Sequence, residues 1–125
     1  MTKITIKTDC GHSPKKEFLK DFNAAFGKGN TEFLTANVTD DIVWTMVGNK
    51  VVEGKEAFAK AIQKMADYKV SECVIEKIVT HGKEGAVNGV MKMDDGKEYA
   101  FSDFYEFKNT KSTDLKTITS YLIQI

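Results

Sequence analysis

The sequence predicts an α+β domain in which long, strongly bent antiparallel strands wrap around helices from the N-terminal half of the chain. Apolar residues recur at helical spacing in three segments before residue 66. Alternating, strand-like segments fill most of the chain after residue 69, with turn-forming residues between them. Helices followed by a run of antiparallel strands are typical of α+β folds rather than of parallel βαβ units. The length of 125 residues fits one domain over residues 1–125.

The first predicted helix begins at Ser13 and Pro14, because serine is a favoured N-cap and proline is favoured in the first helical turn. It ends at Gly27 or Gly29, since glycine commonly stops a helix. One face of this helix is mostly aromatic, and its apolar positions are Phe18, Phe22, Ala25 and Phe26.

Two shorter helices are predicted next. A cap at Asn30 or Thr31 begins the second helix, which runs through Ala36. The polar segment Thr39-Asp40-Asp41 then predicts a turn. Gly54 precedes the third helix, whose apolar face carries Ala57, Phe58, Ala61, Ile62 and Met65.

Strands are predicted on both sides of the third helix. A strand from Ile42 to Val47 and a short Val51-Val52 segment come before it, and Ile4 and Ile6 predict a further strand near the N-terminus. Four long strands follow the helix, over residues 70–81, 86–93, 97–107 and 115–125. Asp95-Gly96 is the clearest hairpin signal between them. Strands of this length must bend in order to cover the helices.

Composition and residue spacing argue against a nucleic-acid partner, a membrane span, a metal site and a cofactor site. The 18 basic residues, all lysine, are balanced by 18 acidic residues and scattered among them, which does not favour a nucleic-acid partner. The sequence contains no run of 18 apolar residues, so no membrane span is predicted. Cys10 and Cys73 are expected to be free thiols in a reducing, cytoplasmic setting. His12 and His81 stand apart from other ligand types, so neither a metal nor a cofactor is expected.

Asp103 is the most informative residue of the predicted strands. Alternation over residues 97–108 places it on one strand face with four aromatic residues, Tyr99, Phe101, Tyr105 and Phe107. In one interpretation, Asp103 bonds a backbone amide or a lysine, or a bulge turns it outward. In the other, it is a carboxyl group in an apolar pocket, with a pKa raised by desolvation. Both interpretations are open at this point.

Several short segments resemble, in their order and spacing, the SnoaL-like superfamily, which is also called ketosteroid isomerase-like or nuclear transport factor two-like. The resemblance covers residues 14–125. The segments are an apolar helix ending in Gly27-Lys-Gly-Asn30, then Phe33-Leu34, the strand Asp40 to Gly48, the helix start Gly54 to Phe58, the block Ser102 to Phe107, Leu115 to Ile118, and Tyr121.

This resemblance implies a cone-shaped, antiparallel-rich mixed sheet wrapped around three N-terminal-half helices, the cystatin-like α+β barrel, and it also implies a homodimer. The fold hosts enzymes, binding proteins and dimerisation modules, so function has to be argued from individual residues.

Ketosteroid isomerase gives the sharpest comparison within the superfamily, because its chemistry needs three groups at known positions. The position of its protonated late-strand aspartic acid falls on Asp103. Its tyrosine position falls on Phe22, which has no hydroxyl, and its base position falls near Thr45, which cannot abstract a carbon-bound proton at neutral pH. We therefore do not expect steroid isomerisation by that route.

The resulting prediction is a small-molecule-binding protein with an apolar pocket around Asp103, the candidate catalytic residue of an isomerase or cyclase of unknown substrate. The ligand is expected to be flat and largely hydrocarbon, with one carbonyl or hydroxyl directed at Asp103. The residues predicted to contact it are Phe18, Phe22, Trp44, Thr45, Met91, Phe101, Tyr105 and Tyr121. Periodicity does not decide which of Trp44 and Thr45 faces the pocket.

The alternative is a non-catalytic dimerisation or protein-interaction module, in which the aromatic stripe around Asp103 is ordinary core. The two hypotheses differ in cavity volume. Binding sites for small molecules enclose roughly 300–1,000 Å³, whereas a dimerisation module needs no cavity.

Overall fold

The computed structural model describes residues 2–125, which form a seven-stranded mixed sheet and three helices. In chain order the elements are β1 (Lys3–Ile6), α1 (Pro14–Lys28), α2 (Thr31–Ala36), β2 (Val38–Met46), β3 (Lys50–Glu53), α3 (Lys55–Met65), β4 (Val70–His81), β5 (Glu84–Met93), β6 (Glu98–Phe107) and β7 (Leu115–Gln124). The strand order is β1-β4-β5-β6-β7-β2-β3. The β1/β4 and β2/β7 pairs are parallel, and the other neighbours are antiparallel. The α+β prediction is confirmed, and the sheet is open, with β1 and β3 at its edges.

The first helix has the ends that its sequence predicts. The Ser13 side chain accepts a hydrogen bond of 3.2 Å from the Lys16 backbone N–H, and Pro14 occupies the first helical turn. At the other end Gly29 adopts a φ of 71°, a left-handed conformation that glycine tolerates best. The α1 axis is therefore fixed at both ends before it reaches the sheet.

The polar segment between α2 and α3 differs from its prediction. Thr39, Asp40 and Asp41 were expected to form a turn, but they lie inside β2, which begins at Val38. The pairing of β2 with β7 shifts register between Val38 and Val43, so the intervening residues follow an extended path without regular partners. Because both aspartates are exposed, the strand accommodates them without burying a charge.

The helices cover one face of the sheet and fill its interior. α1 packs against β4 and β5, α3 packs against β2 and β3, and α2 lies between α1 and α3. Register shifts in β4 after Ile75 and in β7 at Lys116, opposite Glu106 and Phe107, mark β-bulges, which bend the strands around these helices. Among residues 2–125, none of the helices has the length and apolar character needed to cross a membrane. The largest fully buried side chains are Phe22, Phe58, Phe107, Leu19, Leu34, Ile42, Ile62, Ile75 and Leu115.

Gly89 allows a close approach between three central strands. It pairs with Ile75 on β4 and Phe101 on β6, next to the β4 bulge. A Cβ atom at this position would lie 2.0 Å from the Val74 carbonyl oxygen and 2.9 Å from the Phe101 ring. Only glycine fits here, and its absence of a side chain lets the Phe101 ring occupy the inner face.

We predict that Gly89→Ala destabilises the fold by about 1–3 kcal/mol, at the upper end because the clash is with backbone, which cannot rotate away. Urea denaturation monitored by Trp44 fluorescence measures the change. Asn88→Ala is the control, because Asn88 is the exposed neighbour on the same strand. A Gly89→Ala variant within about 0.5 kcal/mol of wild type would show that the strands can separate there at little cost.

Candidate functional site

A cavity of about 370 Å³ opens between α1 and the inner face of the sheet. Its lining is mostly apolar, and Asp103 is its single charged residue among residues 2–125. The lining residues are Phe22, Asn23, Phe26, Trp44, Met46, Val47, Gly48, Asn49, Met65, Cys73, Met91, Phe101, Asp103, Tyr105, Ile118, Ser120, Tyr121 and Leu122. A carboxyl group in such a lining is exposed to far less water than one on the surface.

Asp103 faces this cavity because β6 pairs regularly on both sides of it. Its partners are Val87 on β5 and Ser120 on β7, and the nearest bulge lies beyond it, after Glu106. Phe101 and Tyr105 therefore share its inward face, as alternation predicts. Within residues 2–125 no lysine charge contributes to its environment. The outward-turned or lysine-paired aspartate of the first interpretation is not what the structure contains.

Two hydroxyl groups converge on the Asp103 carboxylate. The Tyr105 hydroxyl donates to Asp103 Oδ2 at 3.3 Å. Asn23 Nδ2 donates to the Tyr105 oxygen at 3.1 Å and to the Leu19 carbonyl at 2.8 Å, so this buried amide holds the tyrosine oxygen from behind. Because Asn23 donates a hydrogen bond to the tyrosine oxygen, the hydroxyl proton of Tyr105 is free to point at the carboxylate.

The second hydroxyl belongs to Ser120, directly across the β6/β7 ladder from Asp103. Trp44 Nε1 donates to Ser120 Oγ at 2.9 Å. The indole is itself held in an aromatic frame, with ring centroids 5.8 Å from Phe26 and 5.5 Å from Phe58. Ser120 therefore accepts a hydrogen bond from Trp44, and its own hydroxyl can donate one to Asp103.

Burial raises the pKa of Asp103 to about 6, and the hydrogen bonds from Ser120 and Tyr105 act in the opposite direction. Burial, followed by the charge of Asp103, raises the pKa of Tyr105 well above its usual range. The tyrosine is therefore neutral at all ordinary pH values. Asp103 can exist in both protonation states near neutral pH, donating a hydrogen bond as the acid and accepting one as the carboxylate.

Cys73 also lines the cavity, although the sequence did not predict it there. Burial, followed by the charges of Asp103 and Glu72, raises the pKa of its thiol to about 11. A thiol with such a pKa is protonated at neutral pH and is a poor nucleophile. Among the described lining residues, Asp103 is thus the group able to exchange a proton near neutral pH.

The structure places most of the predicted contact residues on the cavity. Phe22, Trp44, Met91, Phe101, Tyr105 and Tyr121 line it together with Asp103. Tyr121 lies at the rim, with its ring 6.1 Å from Phe104 on the outer face of the sheet. Trp44 faces inward and Thr45 outward, because adjacent residues of β2 point to opposite faces.

Phe18 and Thr45 do not line the cavity. Phe18 lies one helical turn before Phe22, where its ring packs 5.9 Å from Phe107 and 6.3 Å from Phe33. It is partly buried and packs against the core outside the cavity. Thr45 is carried to the opposite face of the sheet by the strand alternation that turns Trp44 inward.

Four polar or ionisable lining residues were missed from sequence, and one of them, Asn49, lies in the turn before β3. Ser120 follows Ile118 at a spacing of two, so a hydroxyl on an apolar strand face was a usable signal. Asn23 follows Leu19 by one helical turn, and it is the buried polar residue of the core. Cys73 gave no usable signal, because Val74 and Ile75 beside it are also buried and obscure any alternation.

Comparison with known families gives one match that spans most of the chain. A family model described as a SnoaL-like domain matches residues 19–115. This span includes the part of α1 from which Phe22 and Asn23 reach the cavity, and β6, which carries Asp103. No curated protein matches the sequence.

Several solved structures have the same fold. An NTF2-like protein of unknown function from Cytophaga hutchinsonii is 24% identical, covers 87% of this chain and 99% of its own, and has a TM-score of 0.67. An LEH-like epoxide hydrolase from M. tuberculosis is 15% identical over 87% of this chain and 82% of its own, with a TM-score of 0.72. A protein from Kribbella flavida proposed to be a ketosteroid isomerase is 12% identical. The match covers 89% of this chain and 78% of its own, also with a TM-score of 0.72. At these identities the likeness establishes the fold and no particular activity.

We predict that Asp103→Asn becomes progressively more stable than wild type as pH rises from about 4 to 8. The folded pKa of about 6 exceeds the ordinary value of 3.8. The stability that Asp103 contributes to the fold is therefore fully present at low pH and is lost as pH rises through 6. Above that pH, ionising this partly buried and desolvated group costs about 3 kcal/mol, whereas asparagine does not ionise. The difference in urea unfolding free energy between the two proteins, measured across this range, gives the result.

Asp67→Asn makes the same chemical change at an exposed loop position and is the matched control. A difference between wild type and Asp103→Asn that does not change with pH would contradict the raised pKa. A difference of opposite sign would indicate a carboxylate that its hydrogen bonds stabilise more than burial destabilises it.

Proposed function

Because the chain belongs to the SnoaL-like domain family, we propose that it binds a flat, largely hydrocarbon small molecule whose single carbonyl or hydroxyl is hydrogen-bonded to Asp103. The observation that carries this proposal is one ionisable carboxyl group in an otherwise apolar cavity of about 370 Å³. That volume lies within the usual range for small-molecule sites. Apolar walls bind the ligand body, and one polar group fixes its orientation.

The protonation state of Asp103 selects the polar group of the ligand. As the acid, Asp103 donates to a ligand carbonyl; as the carboxylate, it accepts from a ligand hydroxyl. Tyr105 and Ser120 already donate hydrogen bonds to the carboxyl group and orient it. The ligand then adds a further hydrogen bond to this oriented group. Ketones are therefore expected to bind preferentially below about pH 6, and hydroxyl compounds across a wider range.

Binding without steroid-type isomerisation is the expected outcome. Phe22 has no hydroxyl with which to stabilise an oxyanion, and Thr45 points away from the cavity. No second carboxylate lines the cavity among residues 2–125. One carboxyl group can polarise a carbonyl, but the second proton-transfer group that isomerisation requires is missing. The two structural neighbours named for enzymes support a small-molecule ligand, without assigning its reaction.

The alternative, a dimerisation or protein-interaction module that binds no small molecule, is favoured less. The core of such a module should be filled at the place where this protein has a cavity. Dimerisation is nevertheless compatible with ligand binding. The outer face of β6 and β7 carries large exposed apolar side chains: Phe104 is 53% exposed, Tyr121 47% and Ile123 65%. This exposed apolar patch lies between Glu98 and Glu106 on the outer face of β6 and fits a second copy of itself about a two-fold axis. The proposed assembly is a cytoplasmic homodimer joined through this face.

We predict that 2-acetylnaphthalene quenches the fluorescence of Trp44, the single tryptophan, which lines the cavity. Its affinity should be about tenfold higher near pH 5 than near pH 7, since the protonated fraction of a group with a pKa of about 6 changes by that factor. The alcohol made by reducing the ketone should show a smaller dependence on pH.

Asp103→Asn is the control for this titration, because the amide keeps a hydrogen-bond donor and loses the ionisation. Its affinity for the ketone should not change with pH. The proposal would be contradicted by the absence of ketone binding in wild type, or by an equal pH dependence in the variant. Isomerisation of a steroid ketone at enzymatic rates would contradict the part of the proposal that excludes turnover.

We predict that light scattering after gel filtration gives about twice the chain mass of 14.0 kDa. Phe104→Lys should shift the equilibrium to monomer, because it places a charge at the centre of the apolar face. Tyr68→Lys is the matched control, since Tyr68 is 72% exposed but lies in the loop after α3. A wild-type monomer at micromolar concentration would rule out the homodimer.

A further inference from the structure

A second cavity of about 330 Å³ lies next to the first. The two cavities share four lining residues, Phe26, Met65, Met91 and Leu122, which therefore form the partition between them. Leu122 is 55% exposed, so the partition extends from the interior to the protein surface at the end of β7. A ligand that filled the first cavity would have only this layer of side chains between itself and the second.

The composition of the partition suits a movable wall. Met65 and Met91 are unbranched and have several rotatable bonds, so they adapt to the shape of a neighbouring group more readily than branched or aromatic residues do. Leu122 has little packing to hold it, because more than half of its surface is exposed. Rotation of these three side chains requires no change in the sheet or the helices.

The second cavity differs from the first in its charge. Its lining includes Lys28 and Lys69, and no carboxylate among residues 2–125. Both lysines are exposed, and within the same residues neither has an acidic partner at ion-pair distance. The rest of the wall is mainly apolar, with Val70, Met93 and Tyr99 among its residues. This combination favours a chain that is apolar along its length and anionic at its end.

We propose that the two cavities together bind one elongated amphipathic ligand, with its carbonyl at Asp103, an aliphatic chain crossing the partition beside its movable side chains, and a terminal carboxylate between Lys28 and Lys69. This inference rests on the proposed function, because it places the same ligand carbonyl at Asp103. It adds the class of ligand, a keto acid with an extended apolar body, and it assigns the second cavity as part of the site.

The test compares 2-acetylnaphthalene with naphthyl keto acids, in which a straight chain of increasing length joins the ketone to a carboxylate. Affinity is measured by Trp44 quenching and checked by calorimetry. Each methylene that enters the second cavity should tighten binding by about fourfold, until the chain spans it. At that length the free acid should bind up to about fivefold more tightly than its methyl ester at low ionic strength, because an exposed ion pair contributes little more.

The double variant Lys28→Gln, Lys69→Gln should lose the preference for acid over ester and keep the wild-type affinity for 2-acetylnaphthalene. Lys7→Gln, Lys111→Gln is the matched control, because it removes the same charge from exposed lysines that line neither cavity. If 2-acetylnaphthalene binds but longer chains give no gain, or if the preference for acid persists in the Lys28/Lys69 variant, the inference is wrong and the proposed function stands. If 2-acetylnaphthalene itself does not bind, both are wrong.

Discussion

Placing a carboxyl group in an apolar interior costs free energy that only nearby hydrogen-bond donors can offset. At Asp103 the offset is partial: Tyr105 and Ser120 direct hydroxyl groups at the carboxylate, and burial still dominates, so its pKa is raised. The donors are in turn oriented by Asn23 and Trp44. A change to any of these side chains alters the free energy of ionising Asp103, so the cavity behaves as one coupled unit.

The sheet places this coupled unit where the helices cannot fill the interior completely. β6 supplies Asp103 and Tyr105, β7 supplies Ser120, and β2 supplies Trp44, so three neighbouring strands bring the groups together across the ladder. Only Asn23 comes from a helix. The strand pairings therefore decide the geometry of the polar groups, and α1 supports Tyr105 from the opposite side.

An unfilled cavity is a cost to the fold, because side chains along its wall lack part of their packing contacts. The aromatic residues around it reduce that cost by packing against each other edge to face: Phe22 lies 6.1 Å from Tyr105, and Trp44 contacts both Phe26 and Phe58. Natural proteins tolerate such departures from close packing mainly where a site requires them. The cavity and the partly buried carboxyl group occur at the same place, which supports a functional explanation of both.

Local patterns in the sequence were enough to predict the fold class, the start of α1 and the strand face that Asp103 shares with Phe101 and Tyr105, whereas its inward orientation stayed open. Capping residues, helical spacing and strand alternation act within a few neighbouring residues, so they can be read without a partner segment. The polar segment Thr39-Asp40-Asp41 failed as a turn prediction because its exposed side chains are equally compatible with an irregular stretch of strand. Alternation likewise could not decide whether Trp44 or Thr45 faces inward, since that depends on how β2 lies against β7.

The tertiary structure alone decided which residues meet at the site. Asn23 and Tyr105 are 82 positions apart, and Trp44 and Ser120 are 76 positions apart, so no local pattern could have paired them. Phe18 was predicted to contact the ligand because it shares a helix face with Phe22, yet one helical turn places it outside the cavity, partly buried against Phe107. The division of the interior into two cavities also depends on side chains from α1, α3, β5 and β7 meeting in one layer. Periodicity reports the face of an element on which a residue lies, whereas the depth of a cavity along that face depends on long-range packing.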